Sequence, residues 1–445
     1  MLSFSWIKTR RRAKVEKIVL KTKDEYAKSR TLYLFEAAFA YFIDILASGA
    51  FLAKLTSEIG ISDSMTAILT SLTSLAGIAQ LFTIYLSHKA PYKRFVIPIM
   101  LAAELLYAGL YLIPFLDISK GAMSLMFFAA MLTAKLLANV ISPLKTTWFM
   151  NLVPISERGS YTAILQVVSL ISGAAVSFGA GYLIDEFQAA GKLTAAFATL
   201  SIAILAFTVC NLLTLLFSRE KELIKKTDKS NAADSIKYLS KNKKYKSYLL
   251  VLLLAAVGNN LITPFLGTYQ VNELGFSMTF ISIISVVFSG ASMVFVLFFG
   301  KLSKNFQHRT ILRIGYPVVF LSYVLNTFTS PKNGAVMFIV YSLVLRIGSA
   351  AVAISSTNLL LEITPVEHQP TALSIMTIIT GALSFLATLA VSPFIDFMQG
   401  RGNELFGMHV YAQQILSALC AFFYLALILY YNLVFLKEKR KRNEK

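Results

Sequence analysis

The chain has 445 residues, of which 56% are hydrophobic and only 15% charged, with a mean hydropathy of +0.65. That is too little charged surface to cover a soluble globule, and it places the chain in a bilayer. The formal net charge of +19 does not argue for nucleic-acid binding, because the cations follow a membrane topology and no nucleic-acid recognition motif accompanies them.

Residues 8–30 form a basic tail in which Ile18, Val19 and Leu20 interrupt the lysines and arginines. Such a segment reads either as a helix lying on the inner leaflet or as a solvated tail that obeys the charge rule. It lacks an apolar core followed by a small-residue cleavage site, so it is not read as a secretory signal. Apolar segments of about 20 residues follow, the length that a hydrocarbon core about 30 Å thick requires. They are predicted near 32–55, 65–86, 95–115, 122–149, 161–183 and 194–217, then 247–269, 277–300, 311–329, 334–360, 371–393 and 411–436. Between the sets, the lysine-rich stretch 219–246 predicts a linker with one short surface helix. The expected fold is all-α and membrane-integral, with twelve transmembrane helices in two pseudo-symmetric six-helix bundles. Its expected parts are a tail (1–31), a bundle (32–217), a linker (218–246), a second bundle (247–436) and a basic tail (437–445).

Orientation follows from Lys and Arg, which stay on the cytoplasmic side of short loops. With the amino terminus inside, the opposite loops hold only Lys54, Lys120, Lys192, Lys332 and Arg401 of the 42 Lys and Arg residues. Apart from three cations at membrane depth, the rest fall on the cytoplasmic side. Both termini are therefore expected in the cytoplasm, with the protein in the cytoplasmic membrane. Cys210 and Cys420 both lie in apolar runs, so no disulfide framework is indicated.

The two halves repeat each other. Laying Pro154 on Pro365, an offset of 365 − 154 = 211, sets NLVPISERGS over EITPVEHQPT, Lys135 over Arg346, and Ile184-Asp185 over Ile395-Asp396. An offset of 215 sets Glu58 to Ser62 (EIGIS) over Glu273 to Ser277 (ELGFS), and Asp44 over Asn259.

Twelve spans in two parallel halves, a basic linker and the Pro-x-x-x-Arg-Gly loop from Pro154 to Gly159 resemble the major facilitator superfamily of secondary transporters. The resemblance covers residues 32 to 436. The family's loop after the second span survives only as Leu86 to Lys89 with Lys93-Arg94, and as Gly300 to Lys304 with Arg309. His88 and Lys304 stand where the family has an aspartate. The Gly-Pro pair that proton-driven drug exporters carry in the fifth span is missing, since Gly173, Gly179 and Gly181 have no proline beside them.

The resemblance implies that spans 1, 4, 7 and 10 line a central cavity, and polar residues fall at the middle of those spans. A charge in hydrocarbon costs about 3 kcal/mol or more and persists only beside partners or water. Asp44, Glu104, Lys135 and Arg346 meet that description. Helical spacing puts Lys135, Asn139 and Ser142 on one face, Ser342, Arg346 and Ser349 on another, and Tyr41, Asp44 and Ser48 on a third. Arg346 and Lys135 are the expected substrate-binding cations, with Asn259, Asn260 and Asn139 as polar companions. The alternative is that the two cations merely neutralise Asp44 and Glu104. Glu104 is expected to serve packing.

Asp44 is the expected coupling group, because a carboxylate beside a cation can exchange a proton as its surroundings change. All four histidines fall in predicted loops. Glu157 and Arg158 are the expected cytoplasmic gate contacts, and Trp148 the expected interfacial anchor. Pro143, Pro264 and Pro393 are expected to kink their spans. Glycines 173, 179, 181, 290 and 300 are expected either at close packing or as plain helix composition.

No catalytic residue, cofactor or metal is expected, since the chain has no phosphate-cradling loop, no His-Glu-x-x-His and no nucleophile cluster. The expected function is alternating-access, proton-coupled transport of a small solute carrying an anionic or zwitterionic group, by a monomer whose other partners are membrane lipids. The alternatives are a proton-driven efflux pump for amphipathic drugs and a non-transporting membrane sensor or scaffold of the same fold.

Overall fold

Helix starts and stops are written plainly in the repeated Glu-x-Gly-x-Ser segments. Gly60 and Gly275 take positive φ (74° and 65°), where a glycine ends a helix without Cβ strain. Ser62 and Ser277 then cap the next helices by accepting from Met65 N (3.3 Å) and Phe280 N (3.2 Å). Asn242 caps in the same way, accepting from the backbone N–H groups of Lys244 and Tyr245.

The computed structural model describes residues 25–79, 83, 91–154, 157–221, 232–303, 305–405 and 407–443. The tail expected on the membrane surface lies mostly outside these residues, as do His88 and Lys304. The first half comprises α1 (Ala27–Leu46), α2 (Gly49–Glu58), α3 (Asp63–Ala76), α4 (Lys93–Leu110), α5 (Lys120–Met150), α6 (Arg158–Ala189) and α7 (Leu193–Phe217). The linker holds α8 (Ala232–Lys241), the expected surface helix. The second half comprises α9 (Lys243–Asn260), short 3-10 and π turns to Glu273, α10 (Met278–Leu302), α11 (His308–Thr327), α12 (Gly334–Ile363), α13 (Gln369–Gly400) and α14 (Ala412–Asn443). A small hairpin, Glu404–Leu405 with Met408–His409, closes the loop before α14.

Among the described residues, eight helices are long and apolar enough to cross a membrane, or nine if the bent pair α1–α2 is one span. The chain is a multi-pass membrane protein. Three of the expected spans fall outside that number: α3 stops at Ala76 before a stretch that is largely not described, α4 carries Lys93, Arg94 and Glu104, and α11 carries Arg309 and Arg313.

The first span is broken, which its apolar pattern does not announce. It bends by 40° between Leu46 and Gly49, and Gly49 has φ +54°. The seventh breaks at the repeat-equivalent place, ending at Asn260 just before the kink expected at Pro264. Each half has its own apolar core, one around Ile43, Leu72, Tyr111, Phe127 and Phe197, the other around Tyr248, Tyr316, Tyr323, Tyr341 and Tyr424.

Trp148 is not an interfacial anchor. It is 1% exposed, stacks on Phe149, and donates from Nε1 to the Arg219 carbonyl at 3.0 Å, because the start of the linker folds beneath it. The glycines divide. A Cβ at Gly173 would lie 2.4 Å from Tyr41 and one at Gly181 2.7 Å from the Met278 carbonyl, whereas Gly179 and Gly290 have open space around them and Gly300 only ordinary contact.

Candidate functional site

Between the halves lies a cavity of about 710 Å³, lined by α1 and α6 on one side and by the 263–273 turns, α10 and α12 on the other. Its walls are mostly apolar, including Leu170, Leu266, Phe338 and Met293, with hydroxyls from Tyr41, Ser342 and Ser285. Arg346 is the cavity's cation. It is exposed and makes no hydrogen bond or ion pair with a described residue. Its helix is held against α11 by small residues: a Cβ at Gly348 would sit 2.8 Å from the Val319 backbone nitrogen. Gly348 is two residues, about 200° of helical turn, from Arg346, so packing one face aims the guanidinium into the cavity.

Lys135 is not free. Its Nζ donates to Asp44 Oδ1 at 3.0 Å and lies 5.4 Å from the Tyr107 ring centre. The lysine side chain is 6% exposed and the aspartate 58%, so the carboxylate is open on one side with its cation beneath, and neither residue is among those lining the cavity. Asn139 donates to the Lys135 carbonyl of its own helix at 2.9 Å.

At the repeat-equivalent place, Asn259 Oδ1 accepts from both Tyr323 (2.7 Å) and Tyr424 (2.8 Å). Asn260 donates to Ser384 Oγ at 2.9 Å. Both asparagines are thus tied into the second half's own packing, and neither lines the cavity. Glu104 is 6% exposed and accepts from Asn211 Nδ2 at 2.6 Å, a bond between α4 and α7 within the first half.

Two features escaped the sequence reading. One is a second ion pair between α1 and α5, Glu36 with Lys145 at 2.5 Å, the glutamate side chain wholly buried. Its signal was a third cation at membrane depth in need of a partner. The other is a polar clasp at the end opposite the linker. Asp63 accepts from Asn272 (2.6 Å) and Gln399 (2.8 Å), Ser64 donates to Asp396 (2.7 Å), and Gln399 also donates to Glu273 (2.9 Å). Asp185 accepts from the backbone N–H groups of Met278 (2.9 Å) and Thr279 (2.7 Å), a carboxylate at a helix amino terminus.

The repeated Ile-Asp pairs supply Asp185 and Asp396, and the Glu-x-Gly-x-Ser segments supply Glu273 and abut Asp63, Asn272 and Met278, so part of the clasp's signal was present in the sequence as unexplained symmetry. Burial chiefly pushes the Asp63 carboxyl above the ordinary value, with Glu273 and Asp396 adding to it and the Gln399 and Asn272 hydrogen bonds opposing.

Among the described residues, every hydrogen bond between the two halves lies at or near this clasp. The backbones also meet there, where a Cβ at Gly267 would lie 2.8 Å from the Gly49 carbonyl, and again between α3 and α13, where one at Gly381 would lie 2.5 Å from the Ser74 carbonyl. At the linker end, the Arg158 side chain donates to the Val153 carbonyl of its own loop (3.4 Å), and among the described residues neither it nor Glu157 bonds the second half.

These features define a multi-pass membrane protein of two repeated halves closed over a charged cavity at one end. A sequence model of the Major Facilitator Superfamily matches residues 34–388. No curated protein matches the sequence significantly. Among solved structures, the nucleoside transporter NupG is 14% identical, with 92% of this chain and 98% of that one covered at a TM-score of 0.67. A D-xylose-proton symporter is 14% identical (90% and 97% covered, TM-score 0.65). A bacterial homologue of the human lysosomal transporter Spinster, in an inward-facing and unoccupied conformation, is 12% identical (91% and 95% covered, TM-score 0.64). The chain belongs to the Major Facilitator Superfamily.

Proposed function

We propose that this protein is a secondary active transporter of the cytoplasmic membrane that moves a small solute bearing an anionic group, coupled to protons, by alternating access. Twelve helices form two six-helix bundles, residues 32–217 and 247–436, with residues 1–31, the linker 218–246 and the tail 437–445 in the cytoplasm. We read the conformation as inward-facing, because among the described residues the hydrogen bonds that join the bundles lie toward the end away from the linker. That reading accords with the resemblance to the inward-facing Spinster homologue.

One observation carries the substrate reading. The first bundle pairs Asp44 with Lys135, and the second has Arg346 at the lysine's place but Asn259 at the aspartate's, so Arg346 faces the cavity without a counter-ion of its own. A guanidinium so placed can take a carboxylate or phosphate through two parallel hydrogen bonds. Asp44, exposed above a buried lysine, is the proton-exchanging group in this reading, a role in keeping with the proton coupling named for the xylose symporter. Lys135 and Asn139 position it. Asn259 and Asn260 hold the second bundle's wall, and Glu157 and Arg158 meet the second bundle when the cytoplasmic side closes.

A thermal-stability screen of the purified protein against a metabolite and drug library, on wild type and Arg346→Gln, tests this reading. A ligand that binds the native state raises its midpoint with occupancy. Anions that stabilise wild type alone support the proposal. Cationic or lipophilic compounds that stabilise both proteins equally would sink it and favour drug efflux.

A further inference from the structure

The cavity has a second polar group without a partner, and it comes from the other bundle. Tyr41 lines the cavity opposite Arg346, and its hydroxyl makes no hydrogen bond with a described residue. Its place is built rather than incidental. The ring lies so close to Gly173 of α6 that a Cβ there would meet Cε1 at 2.4 Å and Cδ1 at 2.7 Å, with Ile45 at 3.0 Å on the same side. No other residue type at position 173 leaves the ring where it is. Asp44 lies one turn along α1 from Tyr41, and Arg346 of α12 lines the same cavity. The other polar groups around it, from Ser48, Ser177, Ser342 and Gln270, are neutral.

We propose that Tyr41 is the first bundle's hydrogen-bond donor to the substrate's anionic group, gripping it from the side opposite Arg346, and that Gly173 is the seat that holds the ring in place. The inference rests on the anionic-substrate reading above and makes it narrower. An acceptor held from both bundles joins them through the substrate, so binding favours closure of the cavity around it. The exposed Asp44 carboxylate nearby opposes a second negative charge, and the apolar walls accept a hydrocarbon body. The substrate class is therefore an organic monoanion with an apolar body, in preference to a dianion or an inorganic anion.

The experiment titrates straight-chain monocarboxylates from acetate to decanoate, with their neutral amides, into the purified full-length protein by calorimetry. Wild type, Tyr41→Phe, Gly173→Ala and Arg346→Gln are compared. Wild type should bind the longer carboxylates, not the amides or acetate, and Arg346→Gln should lose them. Tyr41→Phe should weaken carboxylate binding about tenfold, the effect of one hydrogen bond to a charged group. Its ligand-free melting should not change, because the hydroxyl has no internal partner. Gly173→Ala should weaken binding at least as much by displacing the ring. Wild-type affinity in Tyr41→Phe, with loss in Arg346→Gln, overturns the Tyr41 assignment and leaves the anionic reading standing. If no carboxylate binds wild type, or binding is equal in Arg346→Gln, the anionic reading fails and the Tyr41 assignment with it.

Discussion

At position 44 the first half of the chain carries an aspartate, and 215 residues later the second half carries Asn259. The aspartate holds a lysine, and the asparagine holds two tyrosines. The contrast extends through each half. The first braces its helices with Glu36–Lys145, Asp44–Lys135 and the Glu104–Asn211 bond. The second braces its own with tyrosine hydroxyls on neutral acceptors, such as Tyr269 on the Thr329 carbonyl and Tyr248 on the Ser356 carbonyl. No ion pair between described residues is buried there. One duplicated scaffold thus holds titratable charge on one side and neutral, strongly desolvated hydrogen bonds on the other. Under the proposed function, this division puts proton exchange in the first half and a fixed cation for the solute in the second.

The largest expected effect comes from breaking the first half's deepest pair. Lys145→Met leaves Glu36 as a buried carboxylate without its cation, which should cost about 3–5 kcal/mol. A fall in the melting temperature of the purified protein reads it, and Glu36→Gln in the same chain should recover most of the loss. Wild-type melting in Lys145→Met would mean that the pair carries no stability.

In the second half, Asn259→Leu removes the acceptor of two buried hydroxyls. The expected loss is about 2–3 kcal/mol, with no recovery from a change of charge elsewhere.

The smallest effect concerns pH. The raised Asp63 carboxyl means that the closed clasp binds this proton more tightly than an open one in which Asp63 meets water. Below the ordinary carboxylate value both forms are protonated and pH has no leverage. Between the ordinary and the raised value, closure weakens as pH rises, and above the raised value the penalty is constant. A single cysteine at Ser48, probed with a membrane-impermeant maleimide from the clasp side and referred to the rate of a free thiol at the same pH, should gain relative reactivity as pH rises through that window. Asp63→Asn should flatten the response, and an unchanged pH profile in that variant would remove Asp63 from the clasp's control.

Much of this protein was legible one residue at a time. Hydropathy over 20-residue windows marked the long helices, because hydrocarbon admits little else. Offsets of 211 and 215 exposed the duplication, and four charges stood out because they are expensive at depth. The break at Gly49 was hidden, since an apolar run continues on either side of it and only its φ of +54° reveals the bend. Trp148 was misread because its neighbours in sequence are those of a membrane boundary, while its partner, the Arg219 carbonyl, lies 71 residues away.

Composition, periodicity and repetition thus determined the class of fold and the candidate charges, since these depend on each residue's own cost in lipid. Pairing was decided only in three dimensions. That Lys135 is neutralised while its repeat partner Arg346 is not depends on which side chains α1 and α9 bring to α5 and α12, and a charge's role follows from the groups within a few ångströms of it.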